Sequence, residues 1–157
     1  MVKKILGLLL VLTLTACSSG DSQMTAAEAK SESEVIAAQI MNELSLTSSM
    51  EQVKDRIVKG LIFEGQDVNA EGTLYFSTDK DSADAVGVFV SDDIESIVEY
   101  LESYVEDARE TNRSSNPTQV FKLANAVIAY DDDTAVLIVC DEIEKARKCA
   151  ENLLGGE

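Results

Sequence analysis

Residues 84–110 read "DAVGVFVSDDIESIVEYLESYVEDARE", and within this stretch the spacing of the apolar residues changes. Val86, Val88 and Val90 alternate with Ala85, Gly87 and Phe89, the period-two pattern of a strand. From Ile94 the apolar positions step by three and four, through Ile97, Val98, Leu101, Val105 and Ala108, the stripe of an amphipathic helix. Between the two, Ser91 stands at the N-cap position. Asp92, Asp93 and Glu95 fill the first turn, where carboxylates face the positive end of the helix dipole. The strand is apolar on both faces, so the sheet it belongs to should be covered on both. A strand of this kind feeding a long helix predicts an α+β domain.

Upstream, "GTLYFS" (72–77) pairs with this strand across the polar turn 78–83 and makes a hairpin. Downstream, "ETNRSSNP" (110–117) reads as a loop. "QVFKLANAVIAY" (119–130) and "TAVLIVC" (134–140) flank Asp131, Asp132 and Asp133 and read as a second hairpin. In its first strand Lys122 and Asn125 are polar intrusions, Lys122 pointing outward or pairing with an acid. Val136, Ile138 and Cys140 oppose Leu137 and Val139, so this strand is also apolar on both sides. A last helix runs from about Asp141 to Leu154 on Ile143, Ala146, Ala150 and Leu153, ended by Gly155 and Gly156.

At the other end, "SESEVIAAQIMNELSL" (31–46) carries Val35, Ile36, Ile40 and Leu44 near helical spacing. A second helix should begin at "SSMEQ" (48–52). Ser48 and Glu51 have capping-box spacing there, and Met50, Val53, Ile57, Val58 and Leu61 line one face. The expected order is ααββαββα: a four-stranded antiparallel sheet from two hairpins, with helices packed on it. The helices after the second and fourth strands should cover one face and the two N-terminal helices the other. A face left uncovered would be a binding surface.

Ahead of the domain, Lys3 and Lys4 precede an apolar run from Ile5 to Leu14, and Thr15 and Ala16 lead into Cys17. A basic start, a short apolar run and a small-residue cleavage zone describe a secretory signal. The run is shorter than the ~20 residues a spanning helix needs. Leu14-Thr15-Ala16-Cys17 resembles the lipobox of bacterial lipoproteins. The resemblance implies that residues 1–16 are removed and that the thiol of Cys17 carries diacylglycerol, an alkylation that suits a strong nucleophile. Residues 17–30, small and polar after Cys17, read as a tether, and residues 31–157 as one domain.

The 157 residues carry 13 Lys and Arg against 29 Asp and Glu, a formal charge of −16. Loss of Lys3 and Lys4 with the signal would bring it to −18. This balance opposes nucleic-acid binding, which needs clustered Lys and Arg. It also opposes lying flat on an anionic leaflet. There is no histidine, which removes Ser-His and Cys-His nucleophile pairs and His-ligated zinc or iron. None of the G-x-S-x-G, H-E-x-x-H, P-loop or dinucleotide motifs occurs. No catalytic residue, metal ligand or cofactor is assigned, and the chain reads as no enzyme.

From about Leu61 onward the chain resembles a family of small lipoproteins common in clostridia-type Gram-positive bacteria, catalogued as domain of unknown function 4358. The likeness rests on "GVFVSDD", "VEYLESYVEDARE", the break "NP" and "KLANAVIAYDDDTAVLIVCDEIEKA". It implies an envelope lipoprotein with an α+β domain, on the extracytoplasmic face of the cell membrane. It implies no activity and no site residues.

Three groups of residues invite a functional reading. Cys140 and Cys149 lie in a compartment that permits disulfides. Their positions, a strand end and two turns into the next helix, put them about 12 Å apart along the axis. A bridge needs about 4.4–6.8 Å between Cα atoms, so two buried free thiols are expected. Asp131, Asp132 and Asp133, with Asp79, Asp81 and Asp84, could serve calcium. They lack the EF-hand pattern and suit ordinary turns. Tyr100 and Tyr104 form an i, i+4 pair at the edge of the core. Two functions follow: a non-catalytic module that binds another envelope protein, or a small-ligand or calcium binder held at the membrane.

Overall fold

A computed structural model describes residues 30–155. Cys17, the signal and the tether up to residue 29 lie outside the described residues, as does Gly156. Among the described residues the chain forms five helices and one five-stranded antiparallel sheet. In chain order these are α1 (Glu32–Glu43), β1 (Met50–Gln52), α2 (Asp55–Leu61), β2 (Glu71–Ser77), β3 (Ala85–Val90), α3 (Ile94–Ser115), α4 (Pro117–Ala124), β4 (Val127–Tyr130), β5 (Thr134–Val139) and α5 (Ile143–Leu154). No helix among them is long and apolar enough to cross a membrane.

The sheet order is β1-β2-β3-β5-β4. The β2–β3 hairpin and the β4–β5 hairpin form as expected, joined through β3 and β5 with Val88 opposite Val136. Since β5 is antiparallel to both β3 and β4, the latter two run parallel with β5 between them. The chain crosses from β3 to β4 through α3 and α4, as parallel strands require.

Both sheet faces are covered, by helices divided differently from the expectation. Val86, Val88, Val136 and Ile138 pack with Ala37, Ile40 and Met41 of α1 and Ala146, Cys149 and Ala150 of α5. Ala85, Phe89, Leu137 and Val139 pack with Val58 of α2, Ile97 and Leu101 of α3 and Leu123 of α4. The two N-terminal helices therefore sit on opposite faces, as do α3 and α5. The physical reason is the crossover: α3 and α4 together occupy one face, leaving α5 the other.

Five local expectations are corrected. The segment at Ser48 is no helix start. Met50–Gln52 pairs with Tyr75–Ser77 as a fifth strand, and the helix begins at Asp55. Here the open edge of β2 outweighed the local capping signal. Lys122 lies in α4 rather than in a strand, and Asn125 caps that helix. Helix α3 continues through residues expected to be a loop, up to Ser115. Its N-cap is Asp93, whose side chain accepts from Ser96 N at 3.4 Å. Ser91 instead donates to Asn69 O and accepts from Asp93 N, tying the helix entry to the loop before β2. Helix α1 has Ser31 as N-cap, but Val35 faces solvent while Ser33 is buried.

Candidate functional site

Strand β1 is three residues long and β2 seven. The register pairs Gln52 with Tyr75, and Val53 N donates to Leu74 O at 2.8 Å as the last bond between them. At Lys54 the chain turns away into α2. Ser77 N donates to Asp84 O, so the odd-numbered residues of β2 bond to β3. The even-numbered ones turn their N–H and C=O groups toward the β1 side. Gly72 therefore presents its backbone to an edge that has no strand across from it among the described residues.

That edge is the floor of a notch of about 400 Å³. One wall is the start of α1, with Ser31 and Glu34, and the other is α2, with Asp55, Val58 and Lys59. Glu71 Oε1 accepts from Ser33 N at 3.2 Å. That bond holds its carboxyl below the ordinary value against the opposing effect of burial, and the nearby Ser33 and Ser31 hydroxyls add to the lowering. Gln52 Nε2 donates to Glu34 Oε1 at 3.0 Å. Beneath these groups the buried hydroxyls of Ser33 and Thr73 share a 2.8 Å hydrogen bond that locks α1 to β2. Each hydroxyl satisfies the other, which makes burial of the pair tolerable.

The far wall of the notch is rigid. A Cβ on Gly72 would lie 2.5 Å from the Phe89 ring, so glycine is what lets Phe89 lie against β2. Phe63 meets Phe89 edge-on at 5.7 Å and Tyr100 at 5.6 Å. Phe63 is turned inward by a left-handed bend at Glu64 (φ 51°) and Gly65 (φ 77°), where Gly65 N donates to Lys59 O.

A second hollow, of about 300 Å³, opens where α3 faces the β2–β3 turn. Phe76, Tyr104, Ala108 and Leu123 line it, and Leu61 stands exposed at its mouth with Ile57 one turn earlier on α2. Phe76 stacks on Tyr104, whose phenol is pushed up to about 12 by burial. Tyr100 and Tyr104 thus diverge, one to each hollow's wall of aromatic packing.

The acids singled out in the sequence do not come together. Asp79, Asp81 and Asp84 lie at the β2–β3 turn, while Asp131, Asp132 and Asp133 lie at the β4–β5 turn. Antiparallel pairing with Ala85 opposite Val139 and Val90 opposite Thr134 puts these turns at opposite ends of the sheet. Asp79 Oδ1 accepts from Asp81 N, and Asp131 Oδ1 from Asp133 N and Thr134 N. Asp84 accepts from Lys122 Nζ at 2.7 Å, and Asp141 lies 3.1 Å from the same nitrogen. Among the described residues no three Cys, Asp or Glu side chains gather where they could hold a metal ion. Cys140 and Cys149 are buried and unbridged. Burial raises both thiols, with Glu43 adding to the effect at Cys149, which reaches about 12. They are poor nucleophiles.

The expectation of an open sheet face missed the notch because the opening is at a sheet edge. Its signal was the mismatch between a long apolar strand and the short segment after Ser49. Comparison with protein-family models, with curated proteins and with solved structures found no match.

Proposed function

We propose that the chain is a lipoprotein of the cell envelope, held on the extracytoplasmic face of the membrane by diacylglycerol on Cys17. Its domain is a non-catalytic module that binds another envelope protein, as the likeness to domain of unknown function 4358 also allows. The observation that carries this reading is the unpaired backbone of Gly72 on the β2 edge, inside a walled notch, since exposed strand edges are templates for another chain. The engagement of the turn acids in local bonds favours protein binding over calcium binding. A small-ligand reading draws on the apolar hollow beside Tyr104, whose volume is at the low end for such sites.

The test is site-specific photo-cross-linking in intact host cells, with the probe at Lys59 on the notch or at Arg147 on α5. Capture of one envelope protein from Lys59 and not from Arg147 supports the module. No capture from either, beside a control lipoprotein that does capture its partner, overturns it. Cys17→Ala is expected to lose lipid labelling and to leave the membrane fraction, and a variant that stays bound and labelled refutes the anchor.

A further inference from the structure

We infer that the chain forms a two-fold dimer in which β4 of one copy adds, antiparallel, to β4 of a second, with Ile128 of each strand bonded to Tyr130 of the other. This goes beyond the interaction reading above, because β4 is the sheet edge opposite the notch.

Asp131 N donates to Thr134 O at 3.0 Å. By the alternation of an antiparallel ladder, Val127 and Ala129 also bond to β5, and Ile128 and Tyr130 turn their N–H and C=O groups outward. Among the described residues no strand lies across from these four groups, and none of them has another hydrogen-bond partner. Edge strands are ordinarily guarded by charge, proline or a bulge. At the other edge, β1 carries the exposed Glu51. Strand β4 reads Val-Ile-Ala-Tyr, with no charge and no proline, and its Tyr130 is 56% exposed.

This edge is complementary to itself. A two-fold axis through Ala129 places Ile128 opposite Tyr130 in both directions, and every outward group of both strands is then used. Residues directly opposite share a face. Each Tyr130 ring therefore covers the Ile128 side chain of the other copy, on the α3 side of the sheet. Ala129, on the other face, is small enough to meet its own copy at the axis. Charge fixes the direction. Asp131, Asp132 and Asp133 follow β4 directly, and parallel pairing would set the two acidic turns side by side. In the antiparallel pair Asp131 falls opposite Val127, four residues from its counterpart, about 13 Å along the strand. That exceeds the ~8 Å screening length at physiological ionic strength. What remains is the general repulsion of two chains of charge −16, so the dimer should tighten as salt rises. A partner recruited by opposite charge would weaken instead.

The first test is cysteine cross-linking of the full chain in intact host cells with a copper–phenanthroline oxidant. Facing residues without mutual hydrogen bonds have Cα atoms about 4.5 Å apart, within disulfide reach, and the native Cys140 and Cys149 are buried. Ala129→Cys should give a disulfide-linked dimer, and Glu51→Cys, on the opposite edge, should not. Ile128→Cys and Tyr130→Cys chains expressed together should cross-link severalfold more than either alone. The second test is sedimentation equilibrium of the lipidated chain in density-matched detergent, which should show a dimer that strengthens with salt. Tyr130→Pro removes an N–H that the fold does not use and should weaken that dimer about tenfold or more, since two of its four hydrogen bonds are lost. Tyr130→Asp serves the same end if the proline variant loses its native circular dichroism. Equal cross-linking at Ala129→Cys and Glu51→Cys reflects crowding on the membrane and overturns the inference. So does a monomer mass throughout, a dimer that neither Tyr130 variant weakens, or a disulfide from Ala129→Cys to a different protein. Any of these, beside capture of a partner from Lys59, leaves the notch reading standing.

Discussion

Replacing Lys122 by methionine should cost about 2–3 kcal/mol of folding stability. The side chain is 8% exposed and its nitrogen lies 2.7 Å from Asp84, itself 17% exposed. Breaking a fully buried pair by removing one partner costs about 3–5 kcal/mol, because the remaining charge is left uncompensated. Asp141, 83% exposed, holds the same nitrogen at 3.1 Å, and a bond of that kind adds about 0–1 kcal/mol. Asp84 keeps some contact with water, which brings the sum below the fully buried range. For a domain of this size the loss should lower Tm by about 10 °C. Urea unfolding followed by far-UV circular dichroism measures it, and adding Asp84→Leu should recover most of it, since an apolar pair replaces an orphaned charge. A single variant within about 1 kcal/mol of the parent, or a double variant no better than the single, would refute this account of how α4 is held. The same pair sets an alkaline limit. Burial pulls the Lys122 ammonium down, but Asp84 and Asp141 together outweigh it and the net shift is upward from 10.5. The stabilisation is complete below the unfolded value and disappears as pH rises through the folded one.

Gly72→Ala should destabilise by about 1–3 kcal/mol, because its Cβ meets a fully buried Phe89 ring that cannot retreat. Phe89→Leu in the same chain should shrink that penalty in the same urea assay, and an unchanged penalty would locate the strain elsewhere. Cys140 and Cys149 should resist a disulfide reagent at pH 8 over minutes and react rapidly in urea. A prompt native reaction of either would show that its burial had been misjudged. An absorbance titration should find the Tyr104 phenol ionising near 12, and its loss in Tyr104→Phe identifies the residue.

Hairpin β2–β3 and helix α3 were legible because local pattern and tertiary role agree there: the strand alternates, the helix has one apolar stripe, and each is buried as its pattern says. Helix α4 had a legible start in Asn116-Pro117, since proline suits the first helical position. The β-branched and aromatic residues around Lys122 masked it. Once that segment is helical, Lys122 falls on the buried side, and its two acids become partners from the turn after β2 and the end of β5. Strand β1 could not be read locally. Ser48 and Glu51 fit a helix start as well as any pair in the chain, and only the vacant edge of β2 decides otherwise. That edge also explains why the notch was missed. Its floor is set by where β1 stops relative to β2, a difference of register between segments some twenty residues apart (Gln52 opposite Tyr75). Its acids come from α1, α2 and β2, and nothing in the spacing of Glu34, Asp55 and Glu71 along the chain marks them as neighbours. A site assembled in this way becomes visible through pairing, because a strand too short for its neighbour leaves backbone groups that folding has placed but not used.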